Sequence, residues 1–118
     1  MKELRWVASS RDDLLAFSPT AVREIGHALY LAQLGSKHKD AKPLKGFGDA
    51  GVLEIVEDFD GDTFRAIYTV RFAEVIFLLH AFQKKSKSGI ATPPKEMEKV
   101  RSRLKLAAAE YEKWRKEK

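Results

Sequence analysis

Residues 52–84 hold three consecutive β-prone segments whose connections are too short for anything but a meander. Val52–Phe59 and Thr63–Phe72 are joined through Asp60-Gly61, a dipeptide suited to the positive-φ positions of a two-residue hairpin turn. Glu74–Lys84 follows a tight turn near Ala73. Adjacent strands of this length form an antiparallel sheet, and the rest of the chain must cover it. Alternation puts Arg65, Ile67, Thr69 and Arg71 on one face and Phe64, Ala66, Tyr68, Val70 and Phe72 on the other. In the third segment Ile76, Leu78, His80, Phe82 and Lys84 share a face. Both of its faces are apolar for most of its length, which marks a central strand.

The flanking segments carry helix signals. Lys2–Ala8 alternates and reads as a first strand. Ser10, with Asp13 three residues on, has capping-box spacing and predicts a short helix over Arg11–Phe17. Ser18-Pro19 is a second start signal, and Val22, Ile25, Leu29 and Ala32 continue at helical spacing, predicting a helix over 19–34. Residues 35–50 are polar, basic and glycine-bearing, and read as a long loop. Thr92-Pro93 opens a final long helix, about 93–116, in which Met97, Val100, Leu104, Ala107, Tyr111 and Trp114 form an apolar seam. The order β-α-α-β-β-β-α predicts one α+β domain over 1–118: a small, mainly antiparallel sheet, helices on one face and a concave site on the other.

Composition excludes several function classes. With 118 residues, 44% of them hydrophobic, the chain can bury a real core. It has no cysteine, so disulfides, thiol nucleophiles and thiolate metal sites are excluded. No apolar run approaches the length of a membrane span, and none at the start reads as a secretory leader; no membrane association is expected and a cytoplasmic location is the default. The net charge of +5 is unevenly placed. Residues 1–60 carry 8 Lys and Arg against 10 Asp and Glu, whereas residues 61–118 carry 14 against 7. A basic second half suits a polyanion such as RNA or an acidic protein.

The chemistry-bearing residues are mainly cations: Lys42, Lys45, Arg65, Arg71, Lys84 and Lys85. Arg65 sits inside an otherwise apolar strand and must find an anion or a polar opening. If the last two strands pair as a hairpin, Lys84 falls near the start of the preceding strand, close to Arg65. Such a cluster suits a phosphodiester and would stabilise charge developing on a scissile phosphate. The competing reading is salt bridging with Glu54, Glu57 and Asp58. His80 is a candidate acid or base, Phe82 a surface for stacking on a base, and His38 a loop residue able to approach a phosphate. No metal-ligand spacing, Walker loop, dinucleotide fingerprint or nucleophilic serine motif is present, so no metal and no cofactor is expected.

The run Lys42-Pro43-Leu44-Lys45-Gly46, then Arg65–Phe72, then Leu79–Ser86 with Gly89 and Thr92-Pro93 resembles the phage-derived HigB-like branch of the RelE toxin superfamily, from the first strand to about Leu106. The resemblance implies a type II toxin that acts as an mRNA endoribonuclease in the ribosomal A site, by metal-free attack of the ribose 2′-oxygen on the adjacent phosphate. It implies a helix-turn-helix antitoxin as partner, with operator DNA bound only through that antitoxin. By position Arg65 matches the strand arginine at the scissile phosphate, Lys84 or Lys85 stands where relatives have a second arginine, and Lys42 and Lys45 match the basic residues before the sheet. The sequence departs from relatives with a C-terminal catalytic Tyr or His, because Tyr111 and Trp114 lie on the apolar seam. A non-catalytic basic module that binds RNA or protein is the alternative, and a toxin fold without toxicity a third.

Overall fold

A computed structural model describes residues 1–48, 51–84 and 92–117. In chain order the elements are β1 (Glu3–Trp6), α1 (Ser10–Leu15), α2 (Pro19–Gln33), β2 (Ala41–Pro43), β3 (Val52–Phe59), β4 (Asp62–Thr69), β5 (Val75–Lys84) and α3 (Pro94–Glu117). They form a five-stranded sheet of order β1-β5-β4-β3-β2, with β1 parallel to β5 and all other pairs antiparallel. The fold is α+β, as expected. The Asp60-Gly61 turn has both residues at positive φ, 54° and 84°, the pairing a tight hairpin between twisted strands requires.

The helices cover both faces of the sheet rather than one. Ile25 and Leu29 of α2 pack with Ile55, Phe64, Ala66, Tyr68, Ile76 and Leu78. On the opposite face Val100 and Ala107 of α3 pack with Ile67, Val75, Phe77 and Leu79, and Met97, Leu104, Tyr111 and Trp114 join them. The expectation of a single covered face fails because β4 and most of β5 are apolar on both sides, and each side needs a cover. The α3 seam supplies the second. Polar struts fix its far half: Arg5 bridges Glu3 and Glu110 at 2.7 and 2.6 Å, and the Trp114 indole N–H donates to Glu3 at 3.3 Å.

Three local readings are corrected. The short helix is preceded by Ser9, whose hydroxyl donates to Asp13 at 2.7 Å; Ser10 is already helical, and its buried Oγ accepts the Val7 N–H at 3.1 Å. Residues 41–43, read as loop, form β2 against β3, with Ala41 opposite Ile55 and Lys42 opposite Glu54. Pro43 is tolerated there because β2 is an edge strand. Finally, a bulge between β4 and β5 steps the register from Ile67 opposite His80 to Tyr68 opposite Leu78. Leu79 and His80 therefore both point toward α3, so Ile76 and Leu78 face α2 while His80 and Phe82 face α3.

The β2–β3 connection leans on the start of α3. Gly46 has φ of +98°, and a Cβ there would lie 3.2 Å from the Met97 side chain. Gly46→Ala is expected to lower unfolding free energy by about 1–2 kcal/mol, chiefly through its backbone conformation. Urea unfolding checks this; an unchanged midpoint would contradict it.

Candidate functional site

The start of α3 leaves the β2–β4 end of its sheet face uncovered. A cavity of about 580 Å³ opens there, lined by Asp40, Lys42, Pro43, Leu44, Lys45, Glu54, Val56, Arg65, Thr92 and Met97. Each lining group has a simple origin. Lys42, Glu54 and Arg65 point to the same face because they occupy same-face positions of β2, β3 and β4: Lys42 pairs with Glu54, and Arg65 is across from Val56. Thr92 and Met97 come from the α3 entry, Leu44 and Lys45 from the turn after β2.

Arg65 is the buried charge of the site, only 1% exposed. Its Nη1 donates to Glu54 Oε2 at 2.8 Å and to Thr92 Oγ1 at 3.4 Å, and the Thr92 hydroxyl donates to the same Glu54 oxygen at 3.1 Å. Thus Arg65 has both things its position demanded, an anion and a polar opening. The salt bridge to Glu54 is present, but buried at the cavity floor instead of spread over the surface. Lys42 and Lys45 are exposed at the rim and, among the described residues, engage in no ion pair. A cavity with a charge-paired floor and free ammonium groups at its lip can hold an anionic ligand and exclude much of the water around it.

The other predicted residues are distributed differently. Lys84 pairs across the strands with Thr63, and Phe82 with Arg65, so Lys84 flanks the site on the expected side without lining the cavity. Lys85 lies outside the described residues, as does Gly89. Arg71 shares a face with Arg65 but sits six residues on, roughly 20 Å along an extended chain. It lines a separate groove of about 350 Å³ with Phe47, Arg101, Leu104 and Lys105. His38 is also elsewhere: it is buried behind β2, bonded to Glu24 at 2.7 Å, not poised at a phosphate.

His80 lies under α3, 3% exposed, with its ring stacked on Phe82 at 5.1 Å between centroids. Arg103 donates from Nη1 to His80 Nδ1 at 3.1 Å, which leaves the ring proton on Nε2, donated to Glu96 at 2.6 Å. Arg103 also reaches the Leu79 carbonyl at 3.1 Å and Ser9 at 3.2 Å, so the imidazole is held in a strut between β5, α1 and α3. Burial, reinforced by the Arg103 charge and opposed by Glu96, lowers its pKa below the usual histidine value. The folded state therefore binds fewer protons than the unfolded chain below about pH 6.5, so stability falls as pH drops through that range. Glu57, its carboxyl pushed up to about 7 by burial, acts in the opposite direction over the same range, so the test is the difference between parent and His80→Gln: the melting temperature of the variant should gain on the parent from pH 8 to 5, and a constant difference would contradict the assignment.

Glu54, Thr92, Asp40 and Met97 were not foreseen as site residues. Glu54 was visible only as a salt-bridge partner, and Thr92 only as a helix cap. In the structure α3 begins at Pro94, and the Thr92 hydroxyl is turned onto Glu54 instead.

A profile of the phage-derived protein Gp49-like family (DUF891) matches residues 12–105. The chain belongs to that family. The Gp49-like proteins are a phage-derived family associated with RelE/HigB-type toxins, and the matched span takes in every lining residue of the cavity. No curated protein and no solved structure matches the chain. No helix among the described residues is long and apolar enough to cross a membrane.

Proposed function

We propose that this Gp49-like chain is the toxin of a toxin–antitoxin pair and that the Arg65 cavity is its RNA-cleaving site. The carrying observation is Arg65 itself, a buried guanidinium on the floor of an open cavity whose rim holds Lys42 and Lys45. A scissile phosphate entering there meets the two ammonium groups first and Arg65 below them. In the cleavage, the ribose 2′-oxygen bonds to phosphorus and the bond to the 5′-oxygen breaks, leaving a 2′,3′-cyclic phosphate and a 5′-hydroxyl. The 2′-proton passes to the Glu54 carboxylate, which Arg65 and Thr92 orient, and the departing 5′-oxygen takes a proton from water. The cations stabilise the negative charge that builds on the phosphoryl oxygens. Lys84 adds positive charge beside the site, and Lys85 is proposed to do the same. His80 is left out of the chemistry because both ring nitrogens are committed under α3. The substrate proposed is mRNA in the ribosomal A site, where the ribosome supplies alignment that an exposed lysine pair does not. A helix-turn-helix antitoxin is the proposed partner.

Growth after induced expression tests the reading simply. Lys42 and Lys45 are exposed, so Lys42→Ala with Lys45→Ala should leave the fold intact while relieving growth arrest. A folded double variant that arrests growth as strongly as the parent contradicts the site. The binding-module alternative predicts salt-sensitive RNA binding with no strand scission.

A further inference from the structure

On the opposite face of the sheet, behind β2, three side chains from distant parts of the sequence converge: Glu24 of α2, His38 of the α2–β2 connection and Glu57 of β3. One donor atom from each lies within 4.8 Å of the other two. His38 is 3% exposed. Among the described residues, Glu57 Oε2 is buried without a donor from the Lys, Arg or amide groups around it, and the Glu57 carboxyl lies beside that of Asp40, so the two must share a proton or face a cation. Asp40 stands beside the group, its carboxylate 3.9 Å from His38 Nδ1. Three carboxyl groups thus crowd one buried imidazole, and among the described residues neither Lys nor Arg forms an ion pair with any of them.

We infer that Glu24, His38 and Glu57 form a binding site for a divalent metal ion of the zinc type. One imidazole nitrogen and two carboxylate oxygens suit that ion, and the absence of thiolate disfavours the softer metals. Glu24 Oε1 lies 2.7 Å from His38 Nε2, closer than the roughly 3.3 Å between ligands around one zinc ion with bonds near 2.0 Å, so the ion replaces that hydrogen bond and the two groups part slightly. His38 changes tautomer on binding. In the structure its Nδ1 accepts the Asp40 amide N–H at 3.0 Å, and Nε2 carries the proton toward Glu24 at 2.7 Å. With metal on Nε2 the proton moves to Nδ1, the Asp40 amide N–H turns away from that nitrogen, and the Asp40 carboxylate, 3.9 Å away, closes to accept the new N–H, giving the carboxylate–histidine–metal relay that fixes ring orientation in metal sites. The ion would neutralise the crowded carboxylates and tie α2 to β3. It lies behind the edge strand that carries Lys42, on the α2 side of the sheet, with Asp40 shared between it and the cavity lining, so its role is structural.

Zinc alone, titrated into tag-free protein against a chromophoric chelator, tests this. One equivalent should bind, the melting temperature should rise with free zinc, and the His38 ring signals should switch from the Nε2–H to the Nδ1–H tautomer by NMR. Glu24→Gln and Glu57→Gln preserve shape. Each should weaken binding by more than about tenfold, since even outer partners of a metal site are worth about 10–100-fold. The ring of His27 lies 5.6 Å from that of His38, and His27→Ala should leave affinity nearly unchanged. Failure to bind zinc, or binding that survives both glutamine substitutions or depends instead on His27, would overturn the assignment.

Discussion

Replacing Arg65 alone is expected to do two things at once, and a paired substitution should separate them. Arg65→Ala leaves Glu54 on the cavity floor without its ion-pair partner, which costs about 3–5 kcal/mol and threatens the fold. Loss of toxicity in that variant would therefore prove little. Arg65→Met combined with Glu54→Leu removes both charges together. Exchanging a buried pair for apolar groups of similar volume is frequently neutral or stabilising, so this double variant should melt close to the parent temperature. If Arg65 stabilises charge on a scissile phosphate and Glu54 takes the 2′-proton, the same variant should lose at least about 10²-fold in cleavage. A thermally sound double variant with parental cleavage would reduce the pair to a structural role.

The second large effect lies in the packing under α3. Phe77 is fully buried, stands edge-on to Phe72 at 5.5 Å between centroids, and lies among the residues that hold α3 against the sheet. Phe77→Ala should cost about 3–5 kcal/mol, partly for lost burial and partly for the cavity left behind. Urea unfolding with fluorescence detection gives the number, since Trp114 lies in the same layer. A loss below about 1 kcal/mol would mean that α3 is not held by this seam. The α3 seam is accordingly the core of the second sheet face, and it is available to a partner only at its edges.

Much of this architecture was legible in the residues. Asp60-Gly61 marked the hairpin, Ser18-Pro19 the start of α2, and strand alternation the face that Arg65 shares with Ile67 and Thr69. Those signals are local, and each follows from the conformational limits of a few residues. What escaped was non-local. A three-residue edge strand containing Pro43 has no periodicity of its own; it is specified by β3 beside it. The bulge at Leu79 and His80 turns half of β5 over, and no residue there announces it, because both faces of that strand are apolar. Covering both sheet faces depends on where α3 lands, which the seam permits and does not dictate.

The candidate site shows the same division. Arg65 stood out because a mid-strand arginine carries a desolvation penalty that something must offset. Lys42 and Lys45 followed from the basic run before β3. Arg71 was grouped with Arg65 because parity reports the face of a strand and says nothing of distance along it. Glu24, His38 and Glu57 are far apart in sequence and on three different elements, so a search for ligand spacing within one segment cannot bring them together.

The most direct test of the account is primer extension on a reporter mRNA in a reconstituted translation reaction, with the parent protein and with the Arg65→Met, Glu54→Leu variant. The account predicts new 5′ ends inside the translated region with the parent protein, dependent on ribosomes, and none with the folded variant. Folded parent protein that leaves the translated message intact would contradict it.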